Sequence, residues 1–244
     1  MIRNILNAWK DYATYMGSQV QDLKNGFLAI NNMSLISCDF SNCIVSMDNI
    51  DSGFANSFNI RPIQSYRILL KEQLRTQSVA AAKIASLMVL QYENFIKLAK
   101  ATDSPELKVK VLAFNELSGF AEVVFDAFNY DIKNFKESLE FYKKGFKSSM
   151  VQYYGLTKED TLVSVVLVHR SINESLYGLE LVSTSKQFQG KGYSKLLLSC
   201  VMETLFYSNP EAIWLFSIEG SIAESIYKKM GFSSVGKILI SKLE

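Results

Sequence analysis

The stretch Thr184-Ser185-Lys186-Gln187-Phe188-Gln189-Gly190-Lys191-Gly192-Tyr193-Ser194 joins an apolar, strand-like run to the start of a long apolar helix. A glycine-containing turn in that place can cradle a phosphate. The first N–H groups of a helix lack intrahelical partners, and the helix macrodipole adds positive potential there. The spacing therefore points to a phosphate-bearing ligand, with Lys186, Gln187 and Lys191 at its flanks. Lys191 either neutralises part of the ligand's charge or faces solvent. Phe188 reads as a packing residue.

Other chemistries find little support in the residue inventory. His169 is the only histidine in 244 residues, which rules out a two-histidine metal site. It falls inside an apolar strand pattern, where a structural role is expected. No EF-hand or paired-acid spacing occurs, so no metal is expected. Cys38, Cys43 and Cys200 form no CxxC pair and read as reduced thiols. Lys and Arg total 26 against 24 Asp and Glu, without a long run of one sign, so neither nucleic acid nor a membrane surface is expected as a partner. The first eleven residues lack an apolar targeting run and no stretch is long enough to span a bilayer, so a cytoplasmic protein is expected. The sequons at Asn32 and Asn173 then read as chance matches.

The elements that must position the loop are clearest in the second half. Residues 107–114 read as a strand. Leu117, Phe120, Ala121, Val124 and Phe128 recur at helical spacing, as do Ile132, Phe135, Leu139, Tyr142 and Phe146. Three strands follow at 150–156, 162–169 and 176–183, then the loop, a helix over 193–207 stopped by Pro210, a strand at 212–217, a helix at 221–230 capped by Gly231, and a strand at 234–243. In the first half, Leu6, Trp9, Ala13, Met16 and Val20 form a helical stripe; 27–37 and 43–47 read as strands, 65–71 as strand or helix, and the alanine-rich 77–89 as helix. Thr102-Asp103-Ser104-Pro105 reads as a linker between domains at 1–104 and 107–244.

On these residues the second half resembles the GNAT superfamily of N-acetyltransferases. The family's loop reads Arg/Gln-x-x-Gly-x-Gly/Ala; here Gln189 and Gly192 match and Ser194 stands at the last small position. Ile226-Tyr227-Lys228-Lys229-Met230-Gly231-Phe232 is similar to the family's Leu-Tyr-x-x-x-Gly-Phe helix ending, and the element order agrees. The resemblance implies an α/β fold with a central mixed, mostly antiparallel sheet flanked by helices. It implies acetyl-CoA as donor and a primary amine as acceptor, with direct attack in a ternary complex. The pyrophosphate would rest on the backbone of Gln189, Gly190, Lys191, Gly192, Tyr193 and Ser194. The pantetheine arm would pair with Val182, Ser183 and Thr184 in a slot between two splayed parallel strands, 176–183 and 212–217.

The resemblance also implies that Tyr227 protonates the departing thiolate. Gly220 stands where many members carry an asparagine that binds the cofactor arm, so that contact is either lost or supplied by Ser217 or Ser221. A general base is not fixed by the pattern: Glu180 and Glu219 are candidates, and a water chain is a third route. Tyr142, Tyr153 and Tyr154 lie on elements that line the acceptor side; most of the cluster reads as core. The first half has no such loop and reads as a degenerate half of similar fold, making the chain a tandem, or as an unrelated helical cap. A monomer or homodimer is expected. The rival reading is an acyl-CoA-binding sensor or partner-binding protein without turnover. A longer-chain or aminoacyl donor also stays open, because the loop recognises the coenzyme and not the acyl group.

Overall fold

The structure, a computed structural model, describes residues 2–22, 27–31, 43–46, 64–70, 83–98, 106–172 and 175–242. Its strands are β1 (Gln19–Asp22), β2 (Phe27–Asn31), β3 (Cys43–Ser46), β4 (Gln64–Leu70), β5 (Lys83–Leu90), β6 (Leu107–Val111), β7 (Val151–Lys158), β8 (Thr161–Arg170), β9 (Leu176–Thr184), β10 (Ala212–Ile218) and β11 (Ser233–Lys242). The α-helices are α1 (Ile2–Tyr15), α2 (Leu117–Phe128), α3 (Phe135–Phe146), α4 (Tyr193–Phe206) and α5 (Ile222–Lys229). All the described strands join one sheet in the order β1-β2-β3-β4-β11-β5-β10-β9-β8-β7-β6. The pairs β3–β4 and β9–β10 are parallel and the others antiparallel, the mixed sheet that the sequence implies.

Helices cover both faces because each carries one apolar stripe. Leu117, Phe120, Ala121 and Val124 of α2 are fully buried at helical spacing and join α1 and α3 over one face. Leu197, Leu198, Val201 and Met202 of α4 are equally buried and share the other face with Tyr227 of α5. The helix ends follow local rules. Asn129 closes α2 in the left-handed region at φ 55°. Gly231 follows α5 at φ 99°, where an added β-carbon would lie 1.7 Å from the Asn94 carbonyl oxygen. No helix among the described residues is long and apolar enough to cross a membrane.

The two halves of the chain interleave. β5, from the first half, lies between β10 and β11; β11, from the second, lies between β4 and β5. This placement corrects the helical reading of residues 77–89. Residues 83–90 form a strand with a neighbour on each side, and Leu87, Met88, Val89 and Leu90 are buried. A strand covered on both faces shows no alternation, so the alanine-rich composition suggested a helix. Residues 64–70 resolve as strand rather than helix. Residues 32–37 and 77–82, the linker Thr102–Pro105, and the sequon residues Asn32 and Asn173 lie outside the described residues.

Candidate active site

The loop after β9 is shaped by its backbone. Gly192 is the N-cap of α4 in the left-handed region at φ 82°, and no side chain caps the first turn of that helix. Gly190 is also left-handed at φ 75°. A β-carbon on either glycine would meet nothing within 4 Å, so glycine is needed for conformation and the space above it is open. The loop is tied down from behind. Gln189 Nε2 donates to the Thr184 carbonyl at 3.0 Å. Asp126 of α2 accepts from the Ser185 hydroxyl at 2.5 Å and from the Lys186 N–H at 2.7 Å. Phe188 packs beside Tyr193, with the Lys191 ammonium 5.3 Å from its ring centre. Loop and α5 enclose a cleft of 430 Å³ lined by Gly190, Gly192, Ser194, Gly220, Ser225 and Lys229, among others.

β9 and β10, the strands that lead into the loop and into α5, separate towards their C-terminal ends. β9 and β10 pair from Leu176 and Ala212 to Leu179 and Leu215, and there the ladder ends. β10 continues against β5 as far as Ile218 and Ala85. β9 turns away at a bulge, with Leu167 opposite Glu180 but Val165 opposite Ser183, and Leu181 left-handed at φ 53°. The bulge puts Leu181 against the core under α1 and α2, and Val182 against the core under α4 and α5. Ser183 is buried; its hydroxyl donates to the Leu181 carbonyl at 2.9 Å, and its carbonyl accepts the Ser164 hydroxyl at 2.8 Å. Ser164 also shares a 2.9 Å hydrogen bond with the Thr184 hydroxyl.

Tyr227 approaches this region from α5. Its side chain is buried, and burial, reinforced by the Glu180 charge, pushes its phenol above the ordinary tyrosine range. Glu180 keeps a partly open side chain and lies 3.9 Å from Nε2 of His169. His169 itself is fully buried, stacked on Tyr12 at 4.3 Å and edge-on to Trp214 at 5.3 Å. It packs so closely over Gly178 that a β-carbon there would lie 2.1 Å from Nε2. These contacts make His169 a wall residue.

The first turn of α5 is organised by a buried carboxylate. Glu224 accepts from the Ser86 hydroxyl at 2.6 Å, from the Gly220 N–H at 2.9 Å and from Lys228 Nζ at 3.1 Å. The Ser86 hydrogen bond foremost, then the Gly220 N–H and Lys228, hold its carboxyl below the usual range. Ser221 is the N-cap, accepting the Glu224 N–H at 3.1 Å, and its hydroxyl lies 3.3 Å from that of Ser217. Glu219 instead pairs with Lys237 at 2.5 Å.

The sequence candidates thus fall into two groups. Gln189, Gly190, Lys191, Gly192, Tyr193 and Ser194 form the loop, and Ser217 lies buried beside Ser221, which joins the loop in lining the cleft. Val182, Ser183 and Thr184 lie on β9 beyond the end of its ladder with β10, and the Glu180 charge acts on Tyr227. Tyr142, Tyr153 and Tyr154 are all buried; the Tyr153 hydroxyl is spent on the Tyr142 carbonyl at 2.8 Å and that of Tyr154 on Gln152 at 2.8 Å. Asp126, Ser86 and Glu224 gave no signal in the sequence, except that Ser221 and Glu224 have the spacing of a capping box.

Comparison with known proteins agrees with this geometry. The family model described as the acetyltransferase (GNAT) domain matches residues 119–242. The fold is similar to that of a GCN5-related N-acetyltransferase from Kribbella flavida (TM-score 0.66, 11% identity, covering 97% of this chain and 93% of that one). It is also similar to a conserved protein of unknown function from Staphylococcus epidermidis (TM-score 0.64, 11% identity, 96% and 97% covered). A tandem GNAT protein from the clavulanic acid biosynthesis pathway matches with a TM-score of 0.57 and 9% identity over 79% of this chain and 67% of that one. No curated protein matches the chain by sequence.

Proposed function

This chain belongs to the GNAT acetyltransferase family, and from that premise we propose that it moves an acetyl group from acetyl-CoA directly to a primary amine, with both substrates bound together. The observation that carries the reading is that cleft and slot are built from consecutive elements, the loop following β9 and α5 following β10. The glycine loop and α5 line one, the splayed ends of β9 and β10 form the other, and Tyr227 stands on α5.

The residues fit the donor. Open space above Gly190, Gly192 and Gly220 admits a backbone-bound pyrophosphate, and the uncapped first turn of α4 supplies its N–H donors. Lys195 and Lys229 line the same cleft and bring positive charge. Ser217 and Ser221 offer hydroxyls near the position where Gly220 has no side chain. Acetyl-CoA, once bound, supplies an activated thioester. Glu180 takes the proton that the acceptor ammonium must lose before its nitrogen can attack. As the carbon–nitrogen bond forms and the carbon–sulfur bond breaks, the Tyr227 phenol gives its proton to the leaving sulfur; the second proton shed by the nitrogen restores the phenol, and Glu180 releases the first to solvent. The first half, residues 1–104, serves as scaffold: β5 supports β10, and α1 covers the Glu180 side of the sheet.

Two measurements test the reading. Saturating acetyl-CoA should raise the unfolding temperature by mass action. A coenzyme-release assay over small amines, polyamines, aminoglycosides and peptides should then find an acceptor. No thermal shift with any acyl-CoA would end the proposal; binding without release on any acceptor would replace it with the sensor reading.

A further inference from the structure

We propose that Asp126 is a positioning residue for the cofactor loop, holding its first turn in binding shape from the end of α2. The inference rests on the reading of residues 189–194 as the acetyl-CoA site.

The loop opens with a short 3-10 turn, Lys186–Phe188. Its N-cap, Ser185, makes no capping bond with its own side chain, so the Lys186 N–H would otherwise be an orphan donor. Asp126 supplies the acceptor from another element. One carboxylate oxygen, Oδ2, receives both the Lys186 N–H at 2.7 Å and the Ser185 hydroxyl at 2.5 Å. The Lys186 ammonium reaches back to Asn129 Oδ1, so the last turn of α2 and the first turn of the loop are joined on both sides. These bonds, the Ser185 one foremost, hold the Asp126 carboxyl below its usual range, so the acceptor stays ionised at neutral pH.

Four residues after Lys186, the chain enters the left-handed turns at Gly190 and Gly192, which have no side chains to fix them. Glycines lose the most freedom on ordering. Fixing the entry at Ser185–Lys186 and the middle at Gln189 leaves only the glycine turn itself to be ordered when a pyrophosphate binds. Asp126 is absent from the residues lining the cleft, so its effect on the ligand runs through the loop backbone.

The test is calorimetric binding of acetyl-CoA to the full chain, paired with thermal unfolding without ligand. Asp126→Ala should raise Kd about tenfold, the worth of one hydrogen bond to a charged group. Because both bonds end on one oxygen, Asp126→Asn can keep them and should stay within about threefold of the parent. Should Asp126→Ala fail to fold, Ser185→Ala removes one bond from the other side and should raise Kd severalfold. Unchanged affinity in Asp126→Ala, or in Ser185→Ala where it stands in, overturns the proposal, including the case where stability alone falls. Failure of the parent to bind acetyl-CoA overturns the site reading and this inference with it; a binding parent with an equally tight variant overturns only the role of Asp126.

Discussion

The Ser86 hydroxyl donates to Glu224 Oε1 at 2.6 Å, joining residues 138 positions apart, with both side chains almost fully buried. Ser86 sits on a strand of the first half; Glu224 lies one turn before Tyr227 on α5. Ser86→Ala leaves a buried carboxylate short of a donor, and we expect a loss of about 1–3 kcal/mol in urea unfolding at pH 7. The pH dependence has a definite sign. A free glutamate titrates near about 4.3, and Glu224 is held lower in the folded chain. Its stabilisation is therefore full above the unfolded value and is lost as pH falls through the folded one. The gap between variant and parent should be widest near neutrality and close in acid; a constant gap would show that the charge of Glu224 is not involved.

Tyr227→Phe keeps the ring packed against Phe232, whose centroid is 5.8 Å away, and removes only the hydroxyl. Turnover should fall about 10²-fold while the acetyl-CoA Kd stays within about twofold. Burial and the Glu180 charge both disfavour the phenolate, so the hydroxyl stays protonated through and beyond its usual titration near about pH 10. The parent's rate should accordingly show no alkaline fall from this group below that pH. An unchanged rate in the variant would take Tyr227 out of the acid role.

Two glycines should separate folding from binding. Gly192→Ala forces a left-handed alanine at a cost of about 1 kcal/mol, but its methyl enters open space. Thermal stability should drop slightly and acetyl-CoA affinity at least tenfold, because the methyl stands over the N–H donors of α4. Gly231→Ala drives a carbon into the Asn94 carbonyl and should prevent folding or leave little soluble protein. Equal stability in the two variants would contradict the assigned geometry.

Gly178→Ala offers a third contrast. A methyl there meets the His169 ring, which Tyr12 and Trp214 hold in place. The crowding should push Glu180 and His169 apart and lower kcat/KM more than acetyl-CoA affinity, since the loop is remote from this contact. Loss of affinity with kcat preserved would place the acceptor side elsewhere.

How far the sequence could be read depended on how local each signal was. The helix stripe of α2, the Gly192 turn and the Tyr227–Gly231 ending are set by neighbours within a few residues, and they stand where periodicity and capping put them. β5 misled because its strand character comes from β10 and β11, which lie more than a hundred residues later. Asp126 was silent for the same reason, and Glu224 showed only its capping-box spacing from Ser221: a carboxylate on a helix reads as solvated until the hydroxyl it accepts is known, and those partners are 59 and 138 residues away. The bulge at Leu181 also left no mark, since nothing in an apolar strand distinguishes a left-handed leucine.

The exchange of β5 and β11 makes the chain a clasp. Each half holds a strand with neighbours from the other half, so the covalent connection between halves carries less of the burden than the sheet does. A protease site inserted within residues 99–105 and then cut should yield two pieces that travel as one body until denatured, and a fragment beginning at residue 106 should not fold, for want of the strand that separates β10 from β11. The first half thereby reaches the site at one remove: β5 backs β10, the strand that bounds the slot.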